Sequence, residues 1–228
     1  MTLHEYPEVE QGSERWHDLR RGIVTASTVH LLLTSKTKKP ASNDDSRGLT
    51  LSLVAERITN HTDPTYQNFD MMRGVLDEPV ARDLYSKHFA PVREYGFMVL
   101  ERTVGDPLFL GWSPDGLVGD DGAIEVKSRK QKQQLATILA DEVPEANMAQ
   151  LQAALLVSGR EWIDYVSFSG GMPLYVKRVY PDVDYQMAIV AAVDAFELTA
   201  AEMAAKYAEA TLGLPLTERQ NYDMEMSL

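Results

Sequence analysis

Midway along the chain, two acids and an amine recur at a spacing that suits phosphodiester chemistry. Ser113-Pro114-Asp115-Gly116 is followed, across a Gly119-Asp120-Asp121-Gly122 turn signal, by Ile124-Glu125-Val126-Lys127. A hairpin joining residues 116–118 to 123–126 would bring Asp115 beside the partner strand. Glu125 and Lys127 are two positions apart, so both side chains leave one face of that strand while Ile124 and Val126 take the other. Two carboxylates with a backbone carbonyl make a hard oxygen set suited to Mg²⁺. Hydrolysis of a phosphodiester needs such a set: positive charge on the phosphate, a polarised water, and a cationic group to orient or deprotonate that water. A protonated lysine beside a divalent cation is disfavoured, so the Lys127 pKa is expected to fall toward the range of a general base. The competing reading is a solvated hairpin in which Pro114-Asp115-Gly116 is only a turn. Asp115 nevertheless follows an apolar pattern of Leu108, Phe109, Leu110 and Trp112, which puts it at a strand end rather than in open solvent.

The frame that must position these residues reads as helices first and strands later. Ser13 is placed to cap a short helix through Arg20, ended by Gly22. Ala26 to Leu33 has the pattern of a second helix, followed by a polar loop from Thr34 to Ser46. Leu49, Leu51, Leu53, Val54 and Ile58 predict a helix ending near Asn60, and Val80, Leu84, Tyr85 and His88 one over Leu76 to Phe89. Short aromatic and β-branched runs then predict strands at Tyr95–Thr103, Leu108–Trp112, Ala123–Val126, Trp162–Phe168 and Leu174–Tyr180. Gly170-Gly171 marks a hairpin between the last two. Helices over Lys132–Ala140 and Pro144–Ser158 separate the strand of Glu125 from that of Trp162, and a long Ala-rich amphipathic helix, Val183–Leu212, closes the chain. This is an α/β class with a mixed sheet and a crossover, read as a single domain over residues 1–228.

Composition removes several other chemistries. The 228 residues are 44% apolar and 25% charged and contain no cysteine, which excludes a thiol nucleophile, disulfides, cysteine-ligated zinc and iron–sulfur clusters. No glycine-rich phosphate loop with Lys-Ser/Thr is present, and the histidines lack ligand-like spacing. The first eleven residues have neither a basic nor an apolar leader segment, and no apolar run spans a bilayer, so a soluble intracellular protein is expected. The formal charge of −12 argues against a nucleic-acid binder, yet it is unevenly spread. Asp182 to Leu228 holds nine acids and two bases, while basic clusters occur at Arg20-Arg21, Lys36 to Lys39 and Lys127 to Lys132. An acidic protein binds DNA when its positive groups line one channel.

Four motifs occur in order: Trp16-His17-x-Leu19-Arg20-x-Gly22-x-x-Thr25-Ala26-Ser27, Ser113-Pro114-Asp115-Gly116, Glu125-Val126-Lys127, and Met148-Ala149-Gln150-Leu151-Gln152. Together they resemble the phage lambda exonuclease family of viral recombinases, within the PD-(D/E)xK nuclease superfamily, over residues 11–180. The resemblance implies a restriction-endonuclease-like core, a central mixed β-sheet flanked by helices. It implies that Asp115, Glu125 and the Val126 carbonyl bind Mg²⁺, with Mn²⁺ able to substitute, and that Lys127 acts on the attacking water. Gln150 would hold the lysine or that water, with Gln152 a competitor for the role. Glu78, in Gly74-x-x-x-Glu78, resembles an additional active-site acid; the rival reading is an exposed acid in a first helical turn. Arg20, Ser27 and Ser113 would grip a terminal 5′-phosphate, Ser27 also capping the helix after it.

The activity so implied is 5′→3′ exonucleolytic hydrolysis of double-stranded DNA to 5′-mononucleotides, leaving a 3′ single strand for recombination. The implied partners are duplex DNA with a 5′-phosphorylated end, two further copies in a ring-shaped homotrimer, and a single-strand annealing protein, with no membrane. The setting is the host cytoplasm of a phage or prophage. Two alternatives stay open: a PD-(D/E)xK endonuclease that cuts restriction sites or junctions, and a non-catalytic DNA-binding module on the same fold.

Overall fold

The computed structural model describes residues 1–64, 68–105 and 107–219; the last nine residues of the expected domain lie outside them. Strand β1 (Thr2–Tyr6) leads to helix α1 (Glu14–Arg20), then to β2 (Val24–Thr25) and a 3₁₀ turn at Val29–Leu32. Helices α2 (Asp44–Thr59) and α3 (Phe69–His88) follow, then strands β3 (Phe97–Arg102), β4 (Leu108–Trp112), β5 (Gly116–Val118) and β6 (Gly122–Ser128). Helices α4 (Gln131–Ala140) and α5 (Glu145–Ser158) cross over to β7 (Trp162–Phe168) and β8 (Tyr175–Val179), and α6 (Val183–Ala210) ends the fold. Among the described residues no helix is long and apolar enough to cross a membrane.

The α/β class holds, and the mixed sheet is split in two. One four-stranded sheet has the order β1-β3-β4-β2, the other β5-β6-β7-β8, and each contains one parallel pair. The β6–β7 pair is the parallel one in the second sheet, which is why two helices must intervene between them. Alternation along β6 and β7 then sorts the side chains by face. Ile124, Val126, Val166 and Phe168 pack against Ala81 and Tyr85 of α3. Ala123, Ile163 and Tyr165 face the other way and join the cluster containing Leu151, Ala154 and Leu155 of α5 and Ile189, Val193 and Phe196 of α6. Each fully buried Leu, Ile or Val contributes about 1.5–3 kcal/mol, so both faces of β6 are anchored and its register is fixed. A one-residue slip would carry Glu125 into the α3 core.

Local chemistry explains the element ends. Ser13 accepts from Trp16 N–H, Asn43 from Ser46 N–H and Asn68 from Met71 N–H, each capping its helix. Gly22 follows α1 at φ +71°, and Asn60 ends α2 at φ +50°, both in the left-handed region.

Three expectations are corrected. Ala26–Leu33 is not an α-helix: Ala26 N–H donates to Gly111 O (2.7 Å), extending the pairing of β2 with β4, and only Val29–Leu32 winds into a 3₁₀ turn. Helix α3 begins at Phe69, seven residues before Leu76, despite Pro79 within it. The ring of Pro79 supplies no N–H, so the carbonyl of Val75 loses its usual partner. Strand β1, paired with β3 from Thr2↔Glu101 to Tyr6↔Phe97, was not expected at all.

Candidate active site

The hairpin β5–β6 builds the site. Gly116 pairs with Ile124 at its open end, which sets Asp115 across from Glu125. Val126 N–H donates to Asp115 Oδ2 (2.7 Å). A residue's N–H and C=O leave a strand on the same side, so the Val126 carbonyl also points toward the space where β5 has ended. The backbone leading into Asp115 is clamped on both flanks. Gln11 Nε2 donates to Pro114 O (2.8 Å) and Tyr95 O (2.9 Å), and Arg82 Nη1 donates to Asp115 O (2.7 Å). Gly116 permits the close passage: a Cβ there would lie 2.2 Å from Val92 Cγ1.

Glu125 and Lys127 leave β6 on the α5 side. Lys127 Nζ donates to Glu125 Oε1 (2.8 Å) and to Gln150 Oε1 (2.9 Å), while Gln150 Nε2 donates to Glu125 Oε1 (2.5 Å). Glu125 is only 2% exposed, and its Oε2 is buried with no hydrogen-bond partner. Glu78 reaches the same cleft from the middle of α3, where Arg82 Nη1 contacts its Oε1 (3.3 Å). The first-turn reading of Glu78 is therefore wrong, because α3 starts nine residues earlier. Gln152 is excluded from the cleft: its side chain donates to Tyr180 O (2.9 Å) and accepts from Asp182 N–H (2.8 Å), tying α5 to the start of α6.

Crowding three acids around a desolvated spot shifts their protonation. Burial, then Glu125 and Glu78, push the Asp115 carboxyl well above the usual carboxylate range. Glu78 is raised by burial, opposed by Arg82 and reinforced by Glu125. The expected fall of the Lys127 pKa belongs to a site with a cation bound; the protein's own groups shift it the other way. Burial pulls the ammonium down, but Glu125 and Asp115 outweigh it and its pKa lies above the ordinary value. A fall requires a cation to neutralise those same acids.

These donors suit a hard divalent cation. The two carboxylates and a carbonyl on the same side are all oxygen, and Glu125 Oε2 is a buried lone-pair donor with nothing to bind. Among the described residues no three Asp, Glu or His side chains close into a ready ligand set. An ion that takes one or two carboxylates and fills its shell with water and substrate oxygens fits such a donor set.

Alongside lies an anion-shaped corner. Arg20 Nη1 and Trp16 Nε1 both donate to Ser113 Oγ (2.9 Å each), and the Arg20 guanidinium stacks 4.0 Å from the centre of the Trp16 ring. Burial draws the Arg20 pKa down to about 10, with Glu56 opposing. Among the described residues no carboxylate ion-pairs with Arg20, so its charge stays available. Ser27 Oγ sits 3.1 Å from Thr25 Oγ1. It does not cap a helix: Thr28 accepts from Thr25 N–H instead, and the element that follows is a single 3₁₀ turn.

All nine residues singled out in the sequence (Arg20, Ser27, Glu78, Ser113, Asp115, Glu125, Val126, Lys127 and Gln150) line one cleft of about 520 Å³. Three contributors were missed. Arg82 was legible as the i+4 partner of Glu78. Trp16, quoted only as part of the first motif, is the platform under Arg20. Gln11 carried no signal, because its partners are backbone carbonyls 84 and 103 residues away.

Comparison with known proteins identifies the family and the fold. Residues 15–161 match the profile of the YqaJ-like viral recombinase domain. The structure of LHK-Exo in complex with dAMP is similar at a TM-score of 0.77 and 27% identity, covering 89% of this chain and 100% of that one. A second structure of LHK-Exo, an alkaline exonuclease from Laribacter hongkongensis, gives 0.71 at 27% identity over 87% and 100%. A phage related exonuclease from Haemophilus somnus 129PT shares the fold at 14% identity and a TM-score of 0.58, over 84% and 99%. No curated protein matches the sequence.

Proposed function

Because this chain belongs to the YqaJ-like viral recombinase family, we propose that it is a Mg²⁺-dependent 5′→3′ exonuclease acting on double-stranded DNA. The observation that carries this reading is Glu125: a buried carboxylate with one oxygen held by Lys127 and Gln150 and the other bound to nothing, facing Asp115. Asp115, Glu125 and the Val126 carbonyl would hold the ion, Mg²⁺ or Mn²⁺. When bound, it supplies charge neutralisation at the scissile phosphate and polarises the attacking water. Lys127, steered by Gln150 and Glu125, would orient that water as an ammonium; with a cation bound it would release its proton to solvent, and the neutral amine would then take the proton of the attacking water. Glu78, whose pKa is raised by burial and by Glu125, stands at the rim as a second acceptor for that proton.

The water oxygen bonds to phosphorus and the 3′-oxygen leaves, so a 5′-mononucleotide departs and the next nucleotide keeps a 5′-phosphate. Arg20 and Ser113, with Ser27 beside them, would grip that renewed end. A permanently charged guanidinium prefers phosphate to a bare hydroxyl. The resemblance to the lambda exonuclease family brings with it a single-domain subunit, a trimeric ring around the duplex, and an annealing protein that receives the 3′ strand. A ring would retain DNA by topology, which suits a protein of charge −12.

A timed digest of 5′-phosphorylated linear duplex with Mg²⁺ tests the proposal. Mononucleotides released from the 5′ end are expected, and EDTA must stop their release. Degradation of a covalently closed circle without a prior nick would replace this reading with an endonuclease. Inertness toward every duplex would leave a binding module.

A further inference from the structure

We propose that a basic groove beyond the end of β6 is a second phosphodiester site, holding the DNA backbone close to the cleaved bond; it rests on the nuclease reading above. The groove, about 580 Å³, lies between the start of α3, the β6–α4 junction and the β7–β8 turn, lined by Arg73, Asp77, Arg129, Lys130, Lys132 and Gly170. It shares a wall with the catalytic cleft. Ser128 lines that cleft, while its hydroxyl donates to Asp77 Oδ2 (2.6 Å) and accepts from Arg73 Nε (2.9 Å) in the groove.

Its charge runs against that of the chain. Four cations stand there, with Asp70 and Asp77 as the acids that touch them. The Lys130–Asp70 pair is 61% and 49% exposed, so it is weak and a phosphate displaces Asp70 readily. Among the described residues Lys132 has no ion-pair partner. Arg129 is the more telling residue. Half-buried, it donates to Tyr165 Oη from Nη2 (3.0 Å) and Nε (3.3 Å) and to Asn147 Oδ1. These acceptors are neutral, and no described carboxylate pairs with it. The guanidinium is held in place while its charge is kept, which is the arrangement an anionic ligand needs.

The floor is rigid. Arg129 N–H donates to Phe168 O (2.7 Å). Buried Gln134 donates to Ser167 O (3.0 Å) and Pro173 O (2.8 Å) and accepts from Ser167 Oγ (2.5 Å), locking α4 to the β7–β8 turn. At about 3.3 Å per residue, Lys130 lies within about 10 Å of Lys127 along the chain. A B-form strand advances about 3.4 Å per nucleotide, so the groove would meet phosphates up to about three nucleotides from the cleaved one.

The test is fluorescence anisotropy in EDTA with a 5′-phosphorylated duplex that carries a 3′ single-stranded overhang. Lys130→Glu/Lys132→Glu is expected to weaken binding about 10-fold and to lower the slope of log Kd against log salt by about 1.4–1.8, two contacts at about 0.7–0.9 each. Lys130→Arg/Lys132→Arg should bind like the parent. Unchanged affinity and slope in the Glu pair overturn the proposal. Equal losses in the Arg pair also overturn it, because packing would then be the cause. Neutral methylphosphonate linkages, placed on the digested or the retained strand, show which backbone is held: neutralising that strand removes the difference between parent and Glu pair. A difference that survives on both strands rejects the groove. Digestion with Mg²⁺ runs in parallel, so an inert parent sinks the nuclease reading while the anisotropy still judges this one.

Discussion

Two buried carboxylates stand one strand apart on opposite faces of the same sheet, and they are treated in opposite ways. Asp164 on β7 is 3% exposed and fully satisfied. Its Oδ2 accepts from Tyr85 Oη (2.6 Å) and Arg178 Nη2 (2.9 Å), and its Oδ1 from Arg178 Nε (2.8 Å), with Arg178 itself stacked 3.5 Å from the centre of the Trp162 ring. Glu125 on β6 is equally buried, but keeps one oxygen unpaired and has Asp115 and Glu78 as like-charged neighbours. Asp164 uses its burial to fasten α3 to the sheet. Glu125 is buried with one oxygen left without a hydrogen-bond partner, a condition that a bound cation would relieve. A buried acid with both oxygens hydrogen-bonded reads as structural; one with an oxygen left bare is a candidate ligand donor.

Substituting each acid should therefore split activity from stability. Glu125→Gln is expected to lower the rate of duplex digestion by roughly 10³-fold or more, since a metal donor is lost. In metal-free buffer its melting temperature should change little, because losing the Lys127 ion pair is offset by removing a charge next to Asp115 and Glu78. Asp164→Ala is expected to cost about 2–4 kcal/mol in chemical denaturation by stranding the Tyr85 hydroxyl, with kcat nearly intact. If both substitutions destabilise alike, the contrast between the two acids is false.

Metal binding sharpens the point. A ligand that binds only the folded state adds about 2.7 kcal/mol at 100 times its Kd. Thermal melts with saturating Mg²⁺ should show a gain of that order in the parent and none in Asp115→Asn. A comparable gain in Asp115→Asn would move the ion elsewhere. Next in size is the phosphate corner. Arg20→Ala should reduce the preference for 5′-phosphorylated over 5′-hydroxyl ends by about 10- to 100-fold, the worth of one or two charge-assisted bonds. An unchanged ratio would leave Arg20 a packing residue on Trp16.

The smallest expected effect is on pH dependence. Asp115 and Glu78 have folded-state pKa values above the unfolded value of about 4. The folded, metal-free protein thus binds more protons than the unfolded chain above about pH 4, and its stability declines as pH rises through the raised values. Mg²⁺ should flatten that decline by compensating the carboxylates. Melts across pH 4–9 with and without Mg²⁺ check this; a metal-free protein that gains stability over that range would contradict it.

What the sequence made legible follows from locality. Glu125 and Lys127 share a face because strand periodicity requires it, and their β6 neighbours Ile124 and Val126 pack as alternation demands. Gln150 and Gln152 could not be ranked in advance, since two residues apart on a helix they face nearly opposite sides and nothing local says which side meets the sheet. Strand β1 was hidden because its polar and charged residues carry no apolar alternation, and pairing with β3 alone makes it a strand. Ala26–Leu33 looked helical by apolar content, but a hydrogen bond to Gly111, 85 residues on, claimed its first residue for the sheet. The rise of the Lys127 pKa in the protein alone comes from Glu125 and Asp115, whereas the expected fall belongs to the site with a cation bound.

The turn from Val118 to Gly122 lies at the far end of the hairpin from Asp115 and Glu125. Residues added to that tip in pairs would lengthen the arm while both acids stayed opposite each other at its root. The interval between them in the primary structure is thus free to change in steps of two, and only their meeting across the two strands is under chemical constraint.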